Sequence, residues 1–299
     1  MNPSVLSPAK YFERERAKFT QVWEASTGIS RAVGLRVADE RRGWASWLFM
    51  RACVTGRTIT GLASISGNEA DKEIYLDNAS LASLARNLID NVTALLYVGD
   101  RNASEQEWRC RKWIIDLHDC TERSKFFHLQ GDAKRAQEFD DQLPELRRRL
   151  ESNEVFQKLE NKPRKKLLAG RDMYIHGRSA AAENLGWDEK YLKALYKYFS
   201  MQTHSLPMSF HRTWLNRIYA DDSSYARGVA GLALDCASRC LGVAAVRLVE
   251  LFPDVEHGLR AEVMWLRASI EQCGLSGIGG HEAITDFGGG VRHELLKND

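Results

Sequence analysis

Two polar pairs, each one helical turn apart, are the residues of the 299-residue chain best spaced to do chemistry: Arg86 with Asp90, and Ser200 with His204. The first pair lies in SLASLARNLIDNVTALLYVG, where Leu81, Leu84, Leu88, Ile89, Val92, Leu95 and Leu96 cover more than half the circumference of a helix. Such a helix is central. Charges on it must pair, because an isolated buried charge costs several kcal/mol. Cation before anion is the weaker order for an i,i+4 pair, which points each residue toward a partner elsewhere. Ser200 and His204 close a helix rich in aromatics, with Tyr191, Tyr196, Tyr198 and Phe199 before them. An imidazole of pKa about 6.5 exchanges protons near neutrality, and helical spacing brings the serine hydroxyl within its reach. No glycine-rich turn precedes the serine to build an oxyanion hole, so a hydrogen-bond anchor between helices is favoured over a Ser–His hydrolase.

Two further patterns carry chemistry. Arg171 and His176 are five residues apart, a cation and a proton-exchanging ring suited to a phosphodiester; Arg123 and His128 repeat the spacing, so spacing alone is weak. Ala182 to Gly186 followed by a helix opened by Asp188 has the outline of a helix-turn-helix, with Lys190, Lys193 and Lys197 along one face. Metal ligation finds no set: His118 stands without partner histidines, His204 and His211 flank Pro207, and Cys236 with Cys240 lacks further ligands. Neither a P-loop nor a GxGxxG after a strand occurs, so no metal and no nucleotide cofactor is implied.

The elements that must position these residues are helices. The chain is 44% hydrophobic and 27% charged, with 6 prolines and few runs of β-branched residues, which predicts an all-α, multi-helix bundle of about nine helices. Ser7-Pro8 starts a helix that Gly28 stops; Ser30 caps a second that Thr55-Gly56 ends; a long connection follows to Asp77. Asp77 or Asn78 opens the central helix and Gly99 ends it. Ser104 to Glu107 forms a capping box for a helix reaching about Phe127. Residues 132–151 form an exposed helical arm kinked at Pro144, and Lys162, Arg164, Lys165 and Lys166 belong to a solvated linker. Ser179 caps a short helix ending at Gly186, and Asp188 caps one reaching about His204. A small-residue helix spans Ser224 to Phe252, another about Leu259 to Cys273, and a Gly-rich tail follows. Residues 1–273 are read as one helical domain and 274–299 as a tail that is flexible or ordered by a partner.

Forty-two Lys and Arg against 40 Asp and Glu leave a formal charge of +2, so there is no global attraction to nucleic acid or anionic membrane. The six cysteines form no CxxC pair and are expected as reduced thiols. The N-terminus lacks a signal-like apolar core. The longest stretch without a charged residue, Tyr198 to His211, is too polar to span a bilayer. A soluble, cytoplasmic protein is expected.

The segments DNASLASLARNLIDNVTALLYVG and GRSAAAENLGWDEKYLKALYKYFSMQTHSLPMSF resemble a bacterial family of all-helical proteins without an assigned function, which carry an SLxRxxxE/D helix and a YxxxSxxxH helix. Here the matching positions are Ser83, Arg86 and Asp90, then Tyr196, Ser200 and His204. The resemblance implies a helical cytoplasmic protein in which polar residues of two separated helices meet. Arg171 to His176 resembles the R-x4-6-H motif of HEPN ribonucleases, helical proteins of toxin and phage-defence systems, and Asp172 fits the polar residue that often follows the arginine. His176 precedes Gly177, which puts the dyad at a helix end.

The functional expectation is a non-enzymatic binding or regulatory module, with a small polar ligand among Arg86, Asp90, Ser200 and His204 or a protein partner elsewhere. Homo-oligomers would form through the Ser224 to Phe252 helix and the tail. The alternative is a HEPN-like, metal-independent ribonuclease acting on RNA through Arg171 and His176, and a further one is helix-turn-helix-like DNA binding.

Overall fold

The computed structural model describes residues 6–64, 76–204, 206–210 and 224–275. They form helices and, among the described residues, no strand: α1 (Pro8–Val33), α2 (Glu40–Ala63), α3 (Asn78–Val98), α4 (Glu105–Leu129), α5 (Ala133–Asp140), α6 (Leu143–Glu151), α7 (Glu154–Gln157), α8 (Asn161–Leu168), α9 (Gly177–Ala182), α10 (Glu189–Thr203), α11 (Pro207–Phe210), α12 (Ser224–Leu251) and α13 (Arg260–Leu275), with 3-10 turns at Glu183–Leu185 and Pro253–His257. The chain is an all-α multi-helix bundle. The short segments α5 to α9 raise the number of helices above the nine that the sequence predicts.

Local chemistry accounts for several ends. Ser7 accepts from the Lys10 amide with Pro8 in the first turn, Asp77 Oδ1 accepts from the Ser80 amide at 2.9 Å, and Asp188 Oδ1 accepts from the Tyr191 amide at 3.0 Å. Ser104 forms half of the expected capping box: its hydroxyl accepts from the Glu107 amide at 3.1 Å, but the Glu107 carboxylate turns to Arg111. Ser179 is no cap, because α9 already begins at Gly177. Pro144 kinks nothing; it opens α6 from its first turn, separating α5 from α6. The basic cluster is helical too, on α8.

Two expected stops are overridden by packing. Helix α1 continues through Gly28 and Ser30 to Val33, because Phe19, Val22, Ser26, Ile29 and Val33 keep a buried stripe unbroken, and Gly34 at φ +61° ends it. Burial of Ile29 and Val33 outweighs the roughly 1 kcal/mol that a mid-helix glycine costs. Helix α2, capped by Asp39, continues through Thr55-Gly56 to Ala63. A Cβ at Gly56 would lie 2.7 Å from the Trp23 ring and 3.3 Å from Leu241, so this glycine is a point of close helix approach. Residues 57–63, expected in a connection, are therefore helix; 65–75 lie outside the described residues, as does the tail beyond Leu275.

The main core gathers around α12, which packs on α1, α2, α3 and α13. Its small residues admit these neighbours: a Cβ at Gly231 would meet Tyr11 at 2.6 Å, and one at Gly242 would meet Ile270 at 3.3 Å. By length and composition α12 could cross a bilayer, and 83% of its apolar window is buried inside the bundle. Three of its charges are in ion pairs: Asp235 takes Lys18 of α1 at 3.1 Å, and Arg247 takes Glu250 at 3.0 Å. Most of α12 is enclosed by its neighbours in the bundle. A second cluster joins α4 to α8 around Cys110, Ile114, Leu117, Leu150, Phe156 and Leu167, and is tied to α3 by Tyr97 and Val98.

Cys53, Cys110, Cys120, Cys236 and Cys240 are free and buried. Burial pushes the thiols of Cys53 and Cys110 up to about 12, and the phenol of Tyr174 to about 12 as well. The folded chain thus holds protons that the unfolded chain releases from about pH 9 for a thiol and about pH 10 for a phenol. Stability is full below that range and falls as pH rises toward 12. Urea midpoints should decline above pH 9, and a flat profile to pH 11 would contradict the burial. At fixed pH, Gly231→Ala should cost roughly 1–3 kcal/mol through overpacking on Tyr11, whereas Gly28→Ala, with nothing within 4 Å of the new methyl, should gain about 0.5–1 kcal/mol. Equal effects of the two in denaturant melts would refute the distinction drawn between them.

Candidate functional site

Arg86 and Asp90 lie half-buried on α3, and both meet Tyr196 of α10. Arg86 Nη2 donates to the Tyr196 hydroxyl at 3.0 Å, and that hydroxyl donates to Asp90 Oδ2 at 3.1 Å. Arg178 of α9 completes the set, donating from Nη1 to the same hydroxyl and lying 3.2 Å from Asp90 Oδ1, an ion-pair distance without hydrogen-bond alignment. Both guanidinium carbons stand over the Tyr196 ring, at 4.8 Å for Arg86 and 5.3 Å for Arg178. One phenol therefore accepts from two cations and donates to one anion. Two positive groups and one negative group close on themselves at the junction of α3, α9 and α10.

Sequence reasoning required partners for Arg86 and Asp90 and placed them beside Ser200 and His204. The second half is corrected. Ser200 Oγ donates to the Tyr196 carbonyl of its own helix at 2.7 Å, the usual fate of a mid-helix serine. His204 is the exposed C-cap of α10, and among the described residues neither side chain bonds to Arg86 or Asp90. Ser83 Oγ of α3 also donates to Thr203 Oγ1 of α10 at 3.1 Å. Arg178 was missed because α9 gives no sequence signal that it lies against α3. Arg239 of α12 was missed too. It is 5% exposed and donates to the carbonyls of Leu185 at 3.0 Å, Gly186 at 2.8 Å and Ile270 at 3.0 Å, with Trp187 stacked near it. It fastens the α9–α10 corner, where Gly186 takes φ +72°.

Arg171 and His176 lie on the loop between α8 and α9, not on a helix, and both are exposed. Gly170 at φ +63° turns the chain there, and a Cβ on it would strike Thr121 of α4 at 2.2 Å. Its carbonyl is 2.8 Å from His118 Nδ1 of α4. Farther along, the Ile175 amide donates to Tyr97 Oη at 3.2 Å, and Tyr174 packs edge-on to Tyr97 with centroids 5.1 Å apart. The loop is thus held by α4 at one end and by α3 at the other.

Between this loop and α8 lies a groove of about 530 Å³, lined by Lys158, Lys162, Lys166 and His176, by the carboxylates of Glu160 and Asp172, and by apolar residues that include Pro163, Leu167 and Ile175. Residues 158–178 hold seven cations (Lys158, Lys162, Arg164, Lys165, Lys166, Arg171 and Arg178) against Glu160 and Asp172, a local +5 in a chain of +2. Among the described residues Lys158, Lys162, Lys165, Lys166 and Arg171 form no ion pair. A larger groove of about 650 Å³ near Trp108 is lined by four acids and three arginines, a net −1 against the +1 of the groove beside α8. On α10, Lys190, Lys193 and Lys197 are exposed, with Lys193 paired to Glu189 at 2.6 Å. Among the described residues no group of three or more His, Cys, Asp or Glu is placed to hold a metal ion.

No family model, curated protein or solved structure matches the chain.

Removing one oxygen tests the closed network. Tyr196→Phe leaves two guanidinium groups without their acceptor and Asp90 without its donor, and should cost about 1–3 kcal/mol. A double-mutant cycle with Asp90→Asn should show a coupling of about 0.5–3 kcal/mol; strictly additive losses in urea melts would mean that the groups do not act together.

Proposed function

We propose that the chain is a non-enzymatic binding module whose working surface is the basic groove beside α8, and whose ligand is the phosphate backbone of single-stranded RNA. The observation that carries this reading is the run of unpaired lysines around a groove in a chain that otherwise balances its charge. Lys162 and Lys166 stand one turn apart on α8, about 6 Å along the axis by helical rise. That separation is comparable with the spacing of successive phosphates on an extended strand. Most other cations of the described surface have carboxylate partners, so the field of this region is not cancelled locally. The Arg86–Asp90–Tyr196–Arg178 network supports the reading indirectly: it fixes α9, and with it the far end of the loop that rims the groove.

A second reading shares the surface. In a metal-independent ribonuclease His176 would take the proton of a ribose 2′-hydroxyl while Arg171 stabilises charge developing on the phosphate. The position of His176 on the groove rim favours it. Against the HEPN resemblance, Gly170 and Gly177, at φ +63° and +80°, bound the dyad in a loop where that motif implies a helix.

Fluorescence anisotropy with a labelled single-stranded RNA, repeated over a salt series, tests both. Binding should weaken with salt at a slope of about −0.7 per phosphate contacted, and the double variant Lys162→Glu, Lys166→Glu should flatten the slope by at least one contact. Intact RNA after binding supports the module, whereas cleavage abolished by His176→Ala with binding retained supports the ribonuclease. Absence of binding at low salt removes both.

A further inference from the structure

Helix α2 is buried on one face and carries exposed apolar side chains, Trp47, Met50 and Val54, on the other. Ala45, Phe49, Ala52, Cys53, Ile59 and Ala63 face the core. Opposite them Gly43, Trp47, Met50, Val54, Arg57 and Gly61 succeed one another at spacings of four, three, four, three and four, the a/d repeat of a coiled-coil seam. The seam faces solvent: Trp47 is 76%, Met50 51% and Val54 64% exposed. Single exposed apolar residues need no account, but three on successive seam positions, flanked by a glycine on one side and Arg57 on the other, mark a contact surface.

This seam is complementary to itself when reversed. Turned about position 52, Met50 comes opposite Val54, Trp47 opposite Arg57 and Gly43 opposite Gly61, so every a position meets a d position, as antiparallel helix pairing requires. A parallel pair would instead set Arg57 against Arg57. From this register we infer that α2 forms the contact of a two-fold homodimer, the α2 helices of two copies packing antiparallel with residue 52 at the axis. Met50 then packs on Val54 of the partner subunit, and the Trp47 ring receives the guanidinium of Arg57 of the partner subunit. Within one chain Arg57 already lies over Trp23 at 5.4 Å, so the dimer gives this cation an indole from each copy. Arg51, exposed beside the seam, comes to the same side of the axis from both copies. Salt that screens this repulsion strengthens the dimer, whereas it weakens RNA binding at the groove, and the two proposals fail independently.

Sedimentation of the full chain over a micromolar concentration series is the test. Wild type should dimerise, and more tightly at higher salt. M50E and V54K, each on a solvent-facing position, should weaken association at least about tenfold while leaving the helical circular dichroism unchanged. The double variant M50E/V54K, in which each new acid faces a new base across the axis, should regain it. A monomeric wild type overturns the inference, including the case in which it binds anionic phospholipid vesicles through Trp47. A double variant as monomeric as the single ones overturns the antiparallel register.

Discussion

A half-buried carboxylate and guanidinium on a helix that is otherwise apolar leave the chain few arrangements, and the hydroxyl of Tyr196 resolves the constraint. Helix α3 presents buried side chains around most of its circumference, so Arg86 and Asp90 sit at the edge of its interface with α9 and α10. Unpaired, they would hold that interface open to water. With Tyr196 between them and Arg178 added, each charge gains a partner that also binds a neighbouring helix. The position of α9 and α10 follows from that closure.

Helix α12 imposes the complementary constraint from inside. Its glycines set how near α1 and α13 approach, and Arg239 donates to the carbonyls of Leu185 and Gly186 at the end of the 3-10 turn and to that of Ile270 on α13. The α9–α10 corner is therefore gripped from both sides, by α3 through Arg178 and by α12 through Arg239. The loop before α9 inherits this rigidity, with Tyr97 and His118 as further fixed points. One wall of the groove beside α8 is thus anchored, whereas its lysines belong to α8 and the turn before it and form no ion pair among the described residues.

The two proposed surfaces differ in physics. The groove acts through uncancelled positive charge, and its strength belongs to the field. The α2 stripe acts through apolar area in a fixed register, with Arg51 as an opposing charge. Neither involves the set Arg86, Asp90, Ser200 and His204 to which sequence reasoning assigned the ligand, whereas His176 of the alternative dyad lines the groove.

How much was legible is clearest at particular residues. Ser7, Asp77, Ser104 and Asp188 mark helix starts correctly because a cap is decided within one turn, by a side chain and an amide three residues away, and Gly99 marks an end by an amide that bonds back to the Leu95 carbonyl. The need for partners at Arg86 and Asp90 was legible for a related reason: the surrounding leucines reveal burial, and burial of charge demands pairing. Gly28 and Gly56 were misread because the same residue stops a helix or admits a neighbour according to what lies beside it, and Ile29, Val33, Trp23 and Leu241 supply that context. Tyr196 meets Asp90 across 106 positions and Arg239 meets Leu185 across 54. Composition and periodicity, being local, determined the helical class, most caps and the obligation of charges to pair. Which charges meet, which glycines are contacts and which apolar stripe is left facing water were decided only when the helices packed, because those outcomes depend on surfaces brought together from distant parts of the chain.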